Sequence, residues 1–423
     1  MKWIYLIFWS MEDHKEIINS LLALLPLTND NAVAVLDHIR VLRNSCVHGT
    51  QIQNSIAFNA EILDFIQSTL FSPDSRTCQS SDKIQLLLWQ LLANCLVNNK
   101  EAQQLIWGKV GDSISSRCMK PPFSRSTDIQ LMILYNVFKG GTGALSEHLV
   151  LRCISQVWRG LVDERCTENL EFLHFCFEHF LVYNRSTVRT YALLESNERI
   201  AFLDYIAGYL QKESPNGAVG TFLMQYFSKE FKIKSDCIMR PLAKDVDKVQ
   251  PREAYGLLRV IAAASGSAQY SHVYSTDHSL FLNMSSLLRC LVAAGKEKTE
   301  NIFTPLNKLE DVALASNTSH TFEKEISFEL KTMLVRCVAN MLYENKINKG
   351  YCLDTQLIPT LLECTNMDAR NPLIKEWSIL AIRNACTDSI EIQEIIANLT
   401  NQGMVKNDVV NDLNLGMGSL RIQ

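Results

Sequence analysis

The chain has 423 residues, of which 47% are hydrophobic and 20% charged, with only 17 glycines and 10 prolines. The length exceeds one ordinary domain, and the apolar content excludes a disordered chain and allows a large core. Scarce turn residues disfavour sandwiches and α/β folds, and a net charge of −4 with no run of five Lys or Arg disfavours nucleic acid as the main partner.

The thirteen cysteines never lie closer than the ten residues between Cys166 and Cys176, and none forms a C-x-x-C pair. Buried, reduced thiols of a cytoplasmic protein fit that spacing better than a disulfide framework. Residues 1–10 form an apolar N-terminal extension, in which Lys2 precedes the run Trp3 to Trp9. The run has the length of a minimal signal h-region, but no small-x-small cleavage site follows and it is too short to span a bilayer. A signal, an anchor and an upstream start all stay open.

From there the apolar stripe recurs at three- and four-residue spacing, which predicts helices near residues 15–25, 31–45, 52–70, 83–98, 127–138, 145–160, 168–183, 197–211, 220–230, 252–264, 279–293, 325–343, 355–365 and 390–400. The string Asn371-Pro372 predicts a helix start, with the asparagine as N-cap and the proline at the first helical position. Wide breaks are expected at Gly111 to Thr127, at Ser214-Pro215-Asn216-Gly217 and around Ser265 to Ser275. The chain divides on this basis into N-terminal repeats over 11–213, middle repeats over 214–323, a C-terminal domain over 324–400 and a tail over 401–423.

An internal repeat adds to this helical pattern. Asn44, Asn94 and Asn384 each close an apolar segment, and each is followed by a cysteine (Cys46, Cys95, Cys386). A glutamine stands nine places on (Gln53, Gln103, Gln393) and an isoleucine twelve places on (Ile56, Ile106, Ile396). A copy around Asn340 is weaker, with Lys349 and Cys352 at the later positions. One helix ends near the asparagine and the next begins around the glutamine. Such a unit must stack on neighbours to bury its faces, so the fold expected is an all-α, armadillo-like helical-repeat solenoid, a right-handed superhelix with no sheet.

The segment Phe328 to Arg336, then Asn340-Met341-Leu342-Tyr343, and above all Asn371-Pro372, Glu376-Trp377 and Ala381-Ile382-Arg383-Asn384, resembles the C-terminal domain of the ataxin-10 family. The resemblance covers about residues 324–400. It implies a cytoplasmic armadillo-like scaffold tied to neuronal survival and cytokinesis, without known catalysis, whose partners include a G-protein β subunit and O-GlcNAc transferase. A membrane is disfavoured, and the oligomeric state, including a homo-oligomer, is left open.

The residues expected to face a partner are Arg336, Asn340, Arg383, Asn384, Asn44 and Asn94. Asparagine amides can bond an extended backbone and arginines can hold carboxylate or phosphate, although the same side chains also serve as helix-end caps and internal pairs. Asn371, Pro372, Glu376 and Trp377 are read as signature residues, with Trp377 and Trp89 as core anchors. The tryptophans of nuclear-import armadillo proteins are missing, since Arg40, Gln90, Arg336 and Leu380 stand four places before the asparagines.

The alternative reading is a thiol- or metal-dependent enzyme at His174, Cys176 and His179. Histidines five apart point in different directions on a helix, and no third group orients the cysteine. No catalytic residue, cofactor or metal is therefore expected.

Overall fold

The structure is a computed structural model that describes residues 11–72, 80–141, 143, 145–164, 166, 168–183, 185–212, 217–242, 249–297, 301–306 and 328–400. The apolar run 3–9 and the stretch after 400 lie outside the described residues. Among the described residues there are twenty α-helices and no strand. They belong to two compact units, Met1–Phe202 with Asn216–Ala218, and Leu203–Pro215 with Val219–Gln423.

The first unit holds α1 (Met11–Ala23), α2 (Ala32–Ser45), α3 (Thr50–Ala57), α4 (Ala60–Phe71), α5 (Ser81–Cys95), α6 (Lys100–Cys118), α7 (Arg125–Lys139), α8 (Glu147–Asp163), α9 (Glu171–Glu178) and α10 (Thr187–Leu193). The division between units runs through α11 (Ser196–Leu210). In the second unit follow α12 (Thr221–Lys234), α13 (Val249–Ser265), α14 (Ser271–Ser275), α15 (His278–Gly295), α16 (Leu330–Leu342), α17 (Lys346–Asp354), α18 (Leu357–Glu363), α19 (Ile374–Cys386) and α20 (Ile390–Thr400).

Each unit is built as two ladders of helices. In the first, α2 packs on α5, α5 on α7 and α7 on α9, while α3 packs on α6, α6 on α8 and α8 on α10. In the second, α13 packs on α16 and α16 on α19, with α12, α15 and α17 forming the other layer. Contacts between nearest neighbours in two layers are the construction of a helical-repeat array. The central rungs are buried almost all round: Leu330, Leu334, Val335, Val338 and Leu342 of α16 are wholly inaccessible. Each such side chain contributes about 1.5–3 kcal/mol on burial.

Three sequence expectations change. The break expected from Gly111 is a continuous helix, since α6 runs to Cys118 and Gly111 lies against the Trp107 ring, where a Cβ would come within 2.6 Å. Packing here outweighs the helix-interior cost of glycine, about 1 kcal/mol. The single helix expected over 52–70 is two, because the Asn59 side chain accepts from Ile62 N and starts α4 afresh. Third, α19 begins at Ile374 rather than at Pro372, and its N-cap is Leu373 in the left-handed region, at φ 62°. Asn371 caps a different helix: its Oδ1 accepts from Lys331 N at 2.9 Å and Thr332 N at 3.4 Å, the first turn of α16.

Candidate partner-binding site

The repeat seen in the sequence is a joint with one geometry. Four places after the asparagine the chain turns through a left-handed residue, Asn98 at φ 54°, Glu344 at φ 50° and Asp388 at φ 54°; in the first joint the positive-φ residue is Gly49, five places on, at φ 117°. The glutamine then reaches back over the turn. Gln103 Nε2 donates to Leu96 O at 2.8 Å, Gln393 Nε2 to Cys386 O at 2.8 Å and Gln53 Nε2 to Cys46 O at 3.4 Å, with Gln53 also reaching Asn94 O of the next repeat at 3.1 Å. These bonds satisfy carbonyls that a helix C-terminus leaves open.

The joint after Asn340 uses Asn348, whose Nδ2 donates to Met341 O at 2.8 Å. Donor and acceptor stand seven residues apart, as in the glutamine joints, but both lie one place earlier relative to the asparagine of the repeat, so a fixed-spacing search misses it.

The asparagines of the repeat tie successive rungs together. Asn94 Nδ2 donates to Arg43 O at 3.1 Å, Asn384 Nδ2 to Ala339 O at 2.9 Å, and Asn340 Nδ2 to Ser265 Oγ at 3.0 Å. A carbonyl only accepts, so in Asn94 and Asn384 the amide nitrogen must face the neighbouring helix and the oxygen is left for another donor. Asn44 is exposed and accepts from its neighbour Arg43, which also donates to Gln90 Oε1 at 2.6 Å.

In the second unit α13 and α16 each leave a narrow accessible strip beside α19, which is more widely open, with Lys375, Glu376, Ile379 and Arg383 exposed. On α13 it is Tyr255 and Arg259; on α16 it is Met333, Arg336 and Asn340; on α19 the half-exposed row is Trp377, Leu380 and Asn384. The strips lie close together. A Cβ on Gly266 would come within 3.2 Å of Asn340 Nδ2. The Arg336 guanidinium stands over the Trp377 ring, 5.3 Å from its centroid, and among the described residues no carboxylate pairs with it. Arg336 Nε is buried without a hydrogen-bond partner.

Trp377 is thus half-exposed and serves as a platform for Arg336, whereas Trp89 is 3% exposed in the core, edge-on to Phe71. Arg259, by contrast, is paired with Asp204 at 2.6 Å. Burial pushes the Tyr255 hydroxyl up to about 12, with Glu329 adding to the shift and Arg259 opposing it. Arg383, Glu376 and Pro372 are exposed, and Pro372 O accepts from Thr332 Oγ1 at 2.9 Å.

A buried ionic knot supports this surface from below. Lys331 Nζ meets Asp368 Oδ2 at 2.5 Å, with both side chains 6% exposed, and Asn371 Nδ2 donates to the same oxygen at 2.9 Å. Asp368 Oδ1 accepts from Leu306 N and Arg370 N, so one carboxylate fixes segment 301–306, the start of α16 and the turn before α19. The sequence signal was the Asn371 string itself, although its capping target lies forty residues upstream.

The His174, Cys176 and His179 side chains are packed among rings. His174 meets the edge of Trp158 with centroids 6.4 Å apart, and His179 meets Phe138 at 4.9 Å. Burial lowers the His179 pKa, Lys139 adds to that, and Glu147 opposes it. Cys176 is wholly buried, and burial pushes its thiol far above the ordinary range, the opposite of an activated nucleophile. Among the described residues no group of three or more His, Cys, Asp or Glu is placed to hold a metal.

Two-layer ladders closed by a repeated amide joint define an all-α helical-repeat protein. Residues 330–419 match the sequence model of the Spinocerebellar ataxia type 10 protein domain. Over most of its length the chain is similar to proteins named Ataxin-10: 21% identity to that of Xenopus tropicalis across 89% of this chain and 77% of the relative, and 23% to that of Homo sapiens across 88% and 77%. The Ataxin-10 homolog of Dictyostelium discoideum is 38% identical over 104 residues, 24% of this chain and 17% of the homolog. An engineered protein of known structure aligns with 87% of this chain and 98% of its own at a TM-score of 0.31 and 12% identity, too loose a likeness to define the fold further. The likeness to the ataxin-10 family is thus strongest in residues 330–419 and extends at lower identity over most of the chain.

Proposed function

We propose that this chain is a non-catalytic, armadillo-like scaffold of the cytoplasm that holds partner proteins on the strip formed by α13, α16 and α19. The observation that carries this reading is the strip itself: Tyr255, Arg336, Asn340, Trp377 and Asn384 are half-exposed on three successive packed helices, two of which, α13 and α16, are otherwise largely buried. Arginine, tryptophan and tyrosine are the residues that dominate interface energies, and a specific interface of this kind buries on the order of 1,600 Å². Similarity to the ataxin-10 family agrees with a binding role, and roles in neuronal survival and cytokinesis would follow from it. The first partners to test are a G-protein β subunit and O-GlcNAc transferase.

Arg336→Glu and Asn384→Asp, measured against wild type by quantitative capture of these two purified partners, should weaken binding while leaving the melting temperature in place. Equal capture by all three proteins would remove the strip from the reading. Loss of capture together with loss of folding would make these residues structural.

A further inference from the structure

We propose that the Arg336–Trp377 seat receives a single acidic side chain from an extended peptide segment, an inference that rests on the scaffold reading above. The guanidinium lies over the indole with its centre 5.3 Å from the ring centroid, and its buried Nε has no partner. The ring holds the guanidinium at one place on the surface, and an arginine fork suits two parallel bonds to a carboxylate. The other arginine of the strip already has its carboxylate, since Asp204 holds Arg259. Arg336 has none among the described residues.

The surroundings define the rest of the occupant. Asn340 stands one helical turn beyond Arg336, about 6 Å along the axis or two residues of an extended chain. Its amide nitrogen is taken by Ser265, and that of Asn384 by Ala339 O. Each side-chain oxygen is left to accept a backbone N–H, which an extended segment presents and a helix does not. Exposed Glu329 lies two turns before Arg336 on the same face, and exposed Glu376 adjoins Trp377. These carboxylates repel a long acidic run. The seat therefore suits one Asp or Glu flanked by uncharged residues.

The test uses the purified full chain and a phage-displayed random peptide library, followed by fluorescence anisotropy on synthetic copies of the selected peptides. Selected peptides should share one acidic residue in an otherwise uncharged frame. Replacing that residue by its amide should weaken binding by about tenfold or more, the scale of a charge-assisted pair. Arg336→Gln should weaken the acidic peptide equally and the amide peptide no further, with an unchanged melting temperature. Arg336→Lys, which keeps the charge but loses the fork, should give an intermediate loss and serves if the glutamine variant does not fold.

Acidic peptides indifferent to both Arg336 variants would overturn the proposal. Peptides that lack an acidic consensus but lose binding on Asn384→Asp would overturn it while leaving the strip as a binding surface. An empty selection, or peptides that respond to no strip substitution, would overturn the proposal and the strip reading together.

Discussion

The two units share one joint and differ in what fills the space between their rungs. In the first unit the filling is aromatic: Phe172 and Phe175 stand with centroids 5.5 Å apart, both tilt against Tyr135 at 6.1 and 6.2 Å, and Phe138 stacks on Phe180 at 5.2 Å. In the second unit buried rings such as Phe227, Phe231, Phe281 and Tyr274 are joined by three lysine–carboxylate pairs, where the first unit has Arg152 with Glu198 at 3.0 Å. Lys331 pairs with Asp368, Lys234 with Glu253 at 2.7 Å, and Lys232 with Asp277 at 2.8 Å. The joint sets how one repeat follows another, and the filling is free to vary.

The largest break in this comparison lies at the ionic knot. Lys331→Met or Asp368→Asn alone leaves a buried group without its partner and should cost the second unit about 3–5 kcal/mol. Replacing both residues by apolar ones of similar volume should recover much of the loss, which separates the desolvated charge from the packing. Chemical denaturation of the three variants measures both values.

The joint gives a smaller and more even effect. Gln103 is 2% exposed, whereas Gln393 near the end of the array is exposed. Gln103→Leu should therefore cost about 1–2 kcal/mol and Gln393→Leu about half a kcal/mol or less, as expected for buried and solvated amide bonds. Equal costs in parallel melts would show that the joint acts through local turn geometry rather than through buried carbonyl satisfaction.

The smallest effect is a pH dependence confined to the first unit. Burial holds the folded His179 pKa below its ordinary value of about 6.5. The unfolded chain then binds the proton more readily, so this contribution to stability is complete above about pH 6.5 and is lost as pH falls through the lower folded value. His179→Phe should flatten the stability profile in that window. A wild-type profile already flat between pH 7 and 5 would assign the aromatic cluster no such linkage.

Much of the architecture was legible because helix periodicity and the Asn/Gln spacing are local signals. Long-range satisfaction was not. The Asn371 string reads as the start of its own helix, since N-cap followed by proline is a local rule, yet its amide oxygen serves Lys331 N and Thr332 N. Trp377 looked like a core residue because its apolarity is visible in sequence and its position under Arg336 is not. Gly111 looked like a break because helix propensity says nothing of the Trp107 ring beside it. The strip itself is invisible to a one-dimensional reading. Its members lie on three helices more than a hundred positions apart, from Tyr255 to Asn384, and only stacking brings their accessible edges together.

The remote cap on α16 also has a temporal consequence. During synthesis the sequence of α16 emerges some forty residues before Asp368 and Asn371, whose side chains close its first turn and neutralise Lys331. Until then Lys331 stays solvated and the helix has no fixed beginning. A chain stopped between Leu342 and Asp368 contains every residue of its central rung and still lacks the group that locks it. The second unit is thus completed from its far end backwards, and a truncation there damages helices that it leaves intact in sequence.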